Sequence, residues 1–354
     1  MENTTLYHNS SAFLRFCSMD SLGQRIAKLV ALGILLVLSL AGNSLVCVIV
    51  YRHSSMRTTI NYLLVNMSLS DFTTPILVLT KKIVEISTNS LEWNVGGILG
   101  SFLCKTVYYI SDISPIVSVL SLLMISYDRF AAIVFPLKAA RYPSKYRKYF
   151  IGLTWILACI LCSPYFYFLN IKSVDGKQYC MMLWDNNTRR AYTVPLTVVF
   201  IIIPFLLLVA MYSCILYKVK THPKNLSQTE RGKRRSQVSK RNTTILSFTV
   251  VFTFAVCWGP YFAILMLSNF QWNWKHDYCS HENFIFTVQF LAYSNATINP
   301  LLYFLFLRNF RNGLHSLCKT SCAELEKGPK ENRGRKRSSM TLLSKDKTSR
   351  NTYV

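Results

Sequence analysis

Apolar residues gather in seven stretches, at about 26–51, 60–86, 104–133, 147–169, 192–217, 244–268 and 283–307, separated by short polar segments. Each is long enough to cross a hydrocarbon core about 30 Å thick, which takes roughly 20 helical residues. Each also holds one polar, aromatic or proline residue in its interior: Asn43, Asp71, Arg129, Trp155, Pro204, Pro260 and Asn299-Pro300. A polar group in lipid is costly, so an intramembrane Asp or Arg points to a functional site, and a mere anchor would need none of them. Alternation at the period of a β-barrel strand is absent, and helices satisfy their own backbone groups in lipid. The pattern therefore predicts an all-α membrane protein, a seven-transmembrane helix bundle. Beyond it, Arg308-Asn309-Phe310-Arg311-Asn312-Gly313-Leu314 has the amphipathic pattern of a short eighth helix lying on the membrane. The expected organisation is an N-terminal segment 1–24, a bundle 25–307, a surface helix 308–320 and a tail 321–354. That tail is charged, rich in Ser and Thr and poor in apolar residues, so disorder is expected there.

Charge adds the orientation. The chain has 354 residues, 51% of them hydrophobic, and a formal net charge of +24. In a soluble protein that balance would suggest nucleic acid. Here the cations crowd the segment after the third stretch (Lys138, Arg141, Lys145), the segment after the fifth (Arg231, Lys233, Lys240) and the tail. Cytoplasmic loops carry such an excess, and it faces anionic inner-leaflet lipid, so nucleic acid is not an expected partner. An odd number of spans then puts the N-terminus outside a multi-pass plasma-membrane protein. Sequons at Asn3, Asn9 and Asn186 fall outside and are expected to be glycosylated, whereas those at Asn225 and Asn242 fall inside. The first apolar run is too long for a signal peptide and is expected to act as its own insertion signal. Four cysteines fall outside the cell, where thiols pair. We expect Cys104 to pair with Cys180 and Cys17 with Cys279, with two free thiols as the alternative for the second pair. His276, Cys279, His281 and Glu282 also form a zinc-like group, but use of Cys279 in a disulfide is the preferred account.

The interior residues fall in a recognisable order. Gly42-Asn43 lies in the first stretch, Leu69-Ser70-Asp71 in the second, and Trp93 before Cys104, ahead of Asp128-Arg129-Phe130. Trp155, Pro204, Tyr212, Phe254 and Cys257-Trp258-Gly259-Pro260 follow, and Asn299-Pro300-Leu301-Leu302-Tyr303 closes the series. This set resembles the rhodopsin-like (class A) G-protein-coupled receptors over about residues 24–320. The resemblance implies a receptor, not an enzyme, that converts extracellular ligand binding into activation of a heterotrimeric G protein. It implies an allosteric sodium ion held by Asp71, Ser118, Asn295 and Asn299, oxygen-bearing side chains that suit a hard cation; a hydrogen-bonded cluster without an ion is the alternative. It implies an activation set of Asp128, Arg129, Tyr212, Asn299, Pro300 and Tyr303, with Trp258 as a relay above Phe254. Two departures stand out. Phe130 replaces the usual tyrosine, and Ser239-Lys240-Arg241 lacks the acid that would complete an inter-helix lock, so appreciable basal signalling is expected.

The ligand is read from the outer half. The position matching an opsin's retinal lysine is Tyr293, and the position matching the amine receptors' aspartate is Ser111, with Asp112 rotated by about 100° beside it. Glu85, Tyr108, Ser111, Asp112, Tyr192, Trp258, Tyr261, Gln289 and Tyr293 are the expected ligand-binding residues. A wide aromatic mouth with charges of both signs suits a short neuropeptide. A biogenic amine or other small transmitter is the alternative, and a membrane transporter the rival from another class. Cys318 and Cys322 are candidate palmitoylation sites. Basic-directed kinase sites at Ser236, Ser338 and Ser339 suggest arrestin as a partner, and Thr352-Tyr353-Val354 suggests capture by a PDZ domain.

Overall fold

The computed structural model describes residues 20–135, 147–221, 231–272 and 281–326. Eight helices organise them. The first is α1 (Leu22–Arg52), whose start is fixed by Ser21 and Gln24 in a reciprocal capping box. Next comes α2 (Thr59–Thr88), capped by Thr58 and ended by Asn89 in the left-handed region, φ 53°. Then follow α3 (Gly97–Val134), α4 (Lys148–Phe168) and α5 (Asn186–Lys218). The series ends with α6 (Arg231–Phe270), α7 (Glu282–Phe306) and α8 (Arg308–Glu326). Six of these, α1 to α6, are each long and apolar enough to cross a membrane, and α7 joins them when taken with the helix after it, from which it is bent by 94°. The expected seven-helix membrane bundle is what the chain forms.

Proline sets the irregularities. Pro75 opens a π turn, Thr74–Leu79, within α2, and a second π turn, Val198–Ile202, precedes Pro204 in α5. Proline removes an intrahelical hydrogen bond, and a π turn absorbs the resulting mismatch, turning the residues beyond it around the axis. Helix α4 breaks at Ser163-Pro164 before its last turn, Tyr165–Phe168. An antiparallel hairpin follows, β1 (Leu169–Val174) with β2 (Lys177–Met182). Asp175 and Gly176, both at positive φ, supply the tight two-residue turn that suits twisted strands. The hairpin is pinned at Cys180, which is disulfide-bonded to Cys104 in α3, and Trp93 donates its backbone N–H to the carbonyl of Gln178. The expected pairing of Cys104 with Cys180 is present. Cys17 and Cys279 lie outside the described residues, as do Asn3, Asn9 and His276.

Several boundaries differ from the apolar runs. Helix α5 starts at Asn186 rather than 192, because the Asp185 carboxylate caps the backbone N–H groups of Asn187 and Thr188 and accepts from the Thr188 hydroxyl. Those bonds hold the Asp185 carboxyl below its ordinary pKa, the Thr188 hydroxyl foremost. Helix α6 reaches back to Arg231 and α8 runs on to Glu326, so residues 321–326 are helical where disorder was expected. Lys, Arg, Gln, Ala, Leu and Glu continue a helix readily, whereas an apolar run marks only the part inside lipid.

The interior combines buried apolar clusters with buried Ser, Thr, Asn and Asp side chains. Ile113, Ile116, Val117, Ala158, Cys162, Tyr165 and Leu169 form one buried cluster between α3 and α4. Leu32, Leu35, Leu79 and Ile86 form another among α1, α2 and the Phe290–Tyr293 turn of α7. Helices α1 and α7 meet at Gly42, where an added Cβ would stand 2.9 Å from the Pro300 Cβ. Leu38, Val48, Ile160, Phe205, Phe252 and Leu301 are exposed, a surface suited to lipid. At the hairpin end, α5 and α6 are clamped. Arg190 Nε donates to the Asn269 carbonyl at 2.5 Å, and the Asn269 amide donates to Thr193 Oγ1 at 3.0 Å.

Candidate functional site: a polar core between a ligand mouth and an arginine end

At mid-bundle, Asp71 on α2 accepts from Asn299 Nδ2 on α7 at 3.0 Å and from Ser118 and Ser114 on α3 at 3.3 and 3.5 Å. Asn299 Nδ2 also lies 3.4 Å from Asn295 Oδ1. The cluster brings together all four residues expected around the sodium ion. Ser114 was missed by sequence reasoning, although it stands one helical turn before Ser118. Asn43 extends the network, donating to the Ala296 carbonyl at 2.9 Å and so tying α1 to α7. Pro300, buried one residue past Asn299, leaves that stretch of α7 free of one backbone bond.

The residues fit a small hard cation. The oxygen set is a carboxylate, two hydroxyls and two amide carbonyls, and Asn299 Oδ1 is buried with no hydrogen-bond partner. A bare buried carbonyl oxygen costs free energy, and a cation would satisfy it.

A second buried network ties three helices. Trp155 Nε1 on α4 donates to Asn66 Oδ1 on α2 at 2.8 Å, and Asn66 Nδ2 donates to Ser121 on α3 at 2.9 Å. Trp155 was legible in the sequence; its partner Asn66, buried among apolar neighbours, was not.

At the end of the bundle opposite the hairpin, the Arg129 guanidinium is held by its neighbour Asp128, Nη2 to Oδ2 at 2.5 Å and Nε to Oδ2 at 3.2 Å. Phe130 packs edge-on against Phe135. The Tyr212 hydroxyl meets Ser126 Oγ on α3 at 3.1 Å, and its ring packs against Phe248 on α6. Tyr303 is fully buried, its hydroxyl 3.9 Å from Met67 Sδ and its ring against Phe310. The two tyrosines thus have separate partners. Lys240 lies on α6 but outside the residues whose side chains are described. Above this region Phe254 stacks on Trp258, which in turn contacts Tyr261 and Phe262.

The hairpin end gathers the expected ligand residues. Glu85 pairs with Lys81 and Lys82, and the Lys81 ammonium sits 5.0 Å over the Tyr108 ring. Ser111 is turned back on its own helix, donating to the Val107 carbonyl at 2.5 Å. Asp112 accepts from the Tyr165 hydroxyl. Tyr192 donates to the Leu161 carbonyl at 2.7 Å and packs against Tyr165 and Trp184. Gln289 and Tyr293 are half-buried one turn apart on α7. Tyr165 and Trp184 were not among the residues picked from the sequence. Both lie beside Pro164 or past the hairpin, where helical spacing gives no guide. Asn186 is exposed at the start of α5, and Cys318 is exposed on α8, with Cys322 one turn further on.

Comparison with known proteins agrees with this arrangement. The model of the 7 transmembrane receptor (rhodopsin family) matches residues 42–303. The tachykinin-like peptides receptor 86C of Drosophila melanogaster is 29% identical over 306 residues, covering 83% of this chain and 58% of that receptor. The QRFP-like peptide receptor of Branchiostoma floridae is 28% identical over 306 residues, 84% of this chain and 78% of its own length. Galanin receptor type 1 of Rattus norvegicus is 27% identical over 315 residues, 87% and 86% respectively. A family model that spans most of the chain, over a seven-helix bundle with the motifs in register, identifies it: the chain belongs to the rhodopsin family of seven-transmembrane receptors.

Proposed function

We propose that this receptor binds a short extracellular neuropeptide at its hairpin end and activates a heterotrimeric G protein at its Arg129 end. The observation that carries the reading is the mouth itself, where Tyr108, Tyr165, Trp184 and Tyr192 lie among charges of both signs under a disulfide-pinned hairpin. Rigid aromatic rings with interspersed charges recognise peptide side chains well. The relatives named as peptide receptors support it. The family model describes receptors, which leaves a transporter without support, and Ser111 stands where an amine receptor would need its acid.

In this reading the N-terminus is extracellular, ligand binding shifts the bundle between two arrangements, and Trp258 relays the shift. Asp128 then releases Arg129, and Tyr212 leaves Ser126 for Tyr303. When bound, a sodium ion at Asp71, Ser118, Asn295 and Asn299 supplies positive charge that favours the resting arrangement. Asp71 and Asn299 orient the cluster, and Asn43 holds α1 against it. Arrestin at the phosphorylated tail, a PDZ domain at Val354 and palmitoyl chains at Cys318 and Cys322 complete the expected partners.

The test is a peptide-library screen on cells that express the receptor with a promiscuous G protein and a calcium readout, beside an Arg129→Ala control. A saturable peptide response that the control lacks is expected. Responses to amines alone, with the receptor at the cell surface, would overturn the peptide assignment.

A further inference from the structure

Several charges at the hairpin end balance one another. Lys28 lies 2.5 Å from Asp20 and 3.6 Å from Glu282. Glu85 has Lys81 and Lys82, Glu92 has Lys177 at 3.2 Å, and Asp185 caps α5. Asp112 is different. Its polar partner is a neutral phenol, that of Tyr165, and it makes no ion pair with any described residue.

Its surroundings are interior. Tyr165 and Cys162 on α4 are buried, and these two, Tyr192 on α5 and Tyr293 on α7 are all electrostatic neighbours of the Asp112 carboxylate. Yet Asp112 itself is exposed. A side chain bonded to Tyr165, whose ring packs on Tyr192 of α5, and still uncovered has room for a further partner on that side. One phenol satisfies one of the roughly four lone-pair sites of a carboxylate, so most of its accepting capacity is unused. If Asp112 served only to anchor Tyr165, the neutral amide of asparagine would do so.

A row of rings leads to it. Phe168 packs against Trp184 at 5.1 Å between centroids, Trp184 against Tyr192 at 5.4 Å, and Tyr192 against Tyr165 at 6.0 Å, whose hydroxyl ends on Asp112. Aromatic faces attract cations. The row runs from the foot of the hairpin along the α4–α5 side, whereas Ser111, one residue earlier, is tied into its own helix.

We infer that Asp112 binds a cationic group of the ligand, a guanidinium or an ammonium, on the α4–α5 side of the bundle, with the rings of Tyr165, Tyr192 and Trp184 lining its approach. This rests on the proposed receptor reading and adds to it the chemistry of one ligand side chain. A carboxylate with one oxygen free and the other bonded only to a phenol suits a planar guanidinium best, because the two can make parallel bonds.

The experiment uses the full-length receptor, purified in detergent, with two small probes whose α-amino groups are acetylated, argininamide and its uncharged analogue citrullinamide. Argininamide is expected to raise the unfolding midpoint of the wild type at concentrations where citrullinamide does not. Asp112→Asn, which keeps an oxygen for Tyr165, is expected to lose the preference, its half-saturating argininamide concentration rising about 10-fold or more. Asp112→Glu, which keeps the charge, is expected to retain it. Equal response of the wild type to both probes, a preference that survives Asp112→Asn, or one that Asp112→Glu also abolishes would each overturn the inference. The probes need no agonist, so a peptide screen that yields nothing bears on the receptor's ligand class and leaves this result standing by itself.

Discussion

Replacing Ser126 by alanine isolates the contact that holds Tyr212 in this arrangement. Both partners are buried, Ser126 at 0% and Tyr212 at 5% exposure, and their hydroxyls are 3.1 Å apart. A neutral hydrogen bond of this kind contributes about 0.5–1.5 kcal/mol net. Tyr212 also interacts with Ser247 on α6, so its phenol keeps a second partner when Ser126 is lost. The effect therefore falls in the lower part of that range, about 0.5–1 kcal/mol. At 1.4 kcal/mol per tenfold, the ratio of active to resting receptor should rise about 2- to 5-fold. The sign follows from where the contact exists. It is present while Arg129 is held by Asp128, and it must be given up if Tyr212 is to reach Tyr303. With the acid of the inter-helix lock missing at Ser239-Lys240-Arg241, Tyr212 links α3 to α6 at this end through Ser126 and Ser247. The assay is ligand-free second-messenger output in cells, normalised to surface receptor, for wild type, Ser126→Ala and Tyr212→Phe. Ser126→Ala should raise the basal signal and leave the maximum unchanged, while Tyr212→Phe should lower the maximum. Basal output that stays level or falls in Ser126→Ala, at equal surface expression, refutes the reasoning.

Three further outcomes are expected. Cys104→Ser opens a loop of 76 residues' separation and should cost about 2–4 kcal/mol, read as a lower unfolding midpoint and reduced surface expression, with Cys180→Ser no worse than the double variant. Gly42→Val drives side-chain atoms against Pro300, where even a Cβ would come within 2.9 Å; overpacking of this kind costs about 1–3 kcal/mol, and an unfolding midpoint equal to wild type would show that α1 and α7 do not meet there. Sodium chloride should stabilise the purified wild type more than choline chloride at equal ionic strength, and Asp71→Asn should abolish the difference; persistence of that difference would place any ion elsewhere.

The seven spans were legible because lipid imposes one simple rule, a long apolar run, and the interior polar residues were legible because that rule makes them conspicuous. Asp71, Ser118, Asn295 and Asn299 come together as expected, and so do Cys104 and Cys180. What escaped is what depends on neighbours rather than on the run itself. The π turns beside Pro75 and Pro204 change which residues face inward, and no periodicity announces them. Asn66 looked like one more residue of an apolar helix until Trp155, Ser121 and Thr154 surrounded it. Tyr165 became part of the mouth because α4 breaks at Pro164 and a new turn carries the ring toward α3. Helix ends were misjudged wherever good helix formers continue past the apolar stretch, as at Arg231 and Glu326.

The clamp between Arg190, Thr193 and Asn269 has a mechanical consequence for α6. Two hydrogen bonds fix the hairpin end of that helix to α5, and Pro260 weakens its backbone some ten residues further along. Roughly 43 Å of helix separates Pro260 from Arg231, at 1.5 Å per residue. A rigid rod of that length, hinged near one end and held beyond the hinge, multiplies angle into distance. A turn of about 10° at Pro260 would carry Thr244 through roughly 4 Å and Arg231 through roughly 7–8 Å. The long polar extension of α6 is therefore a lever arm. In the proposed reading, a small rearrangement around Trp258 would be multiplied by that arm into a displacement of several ångströms at the Arg231 end.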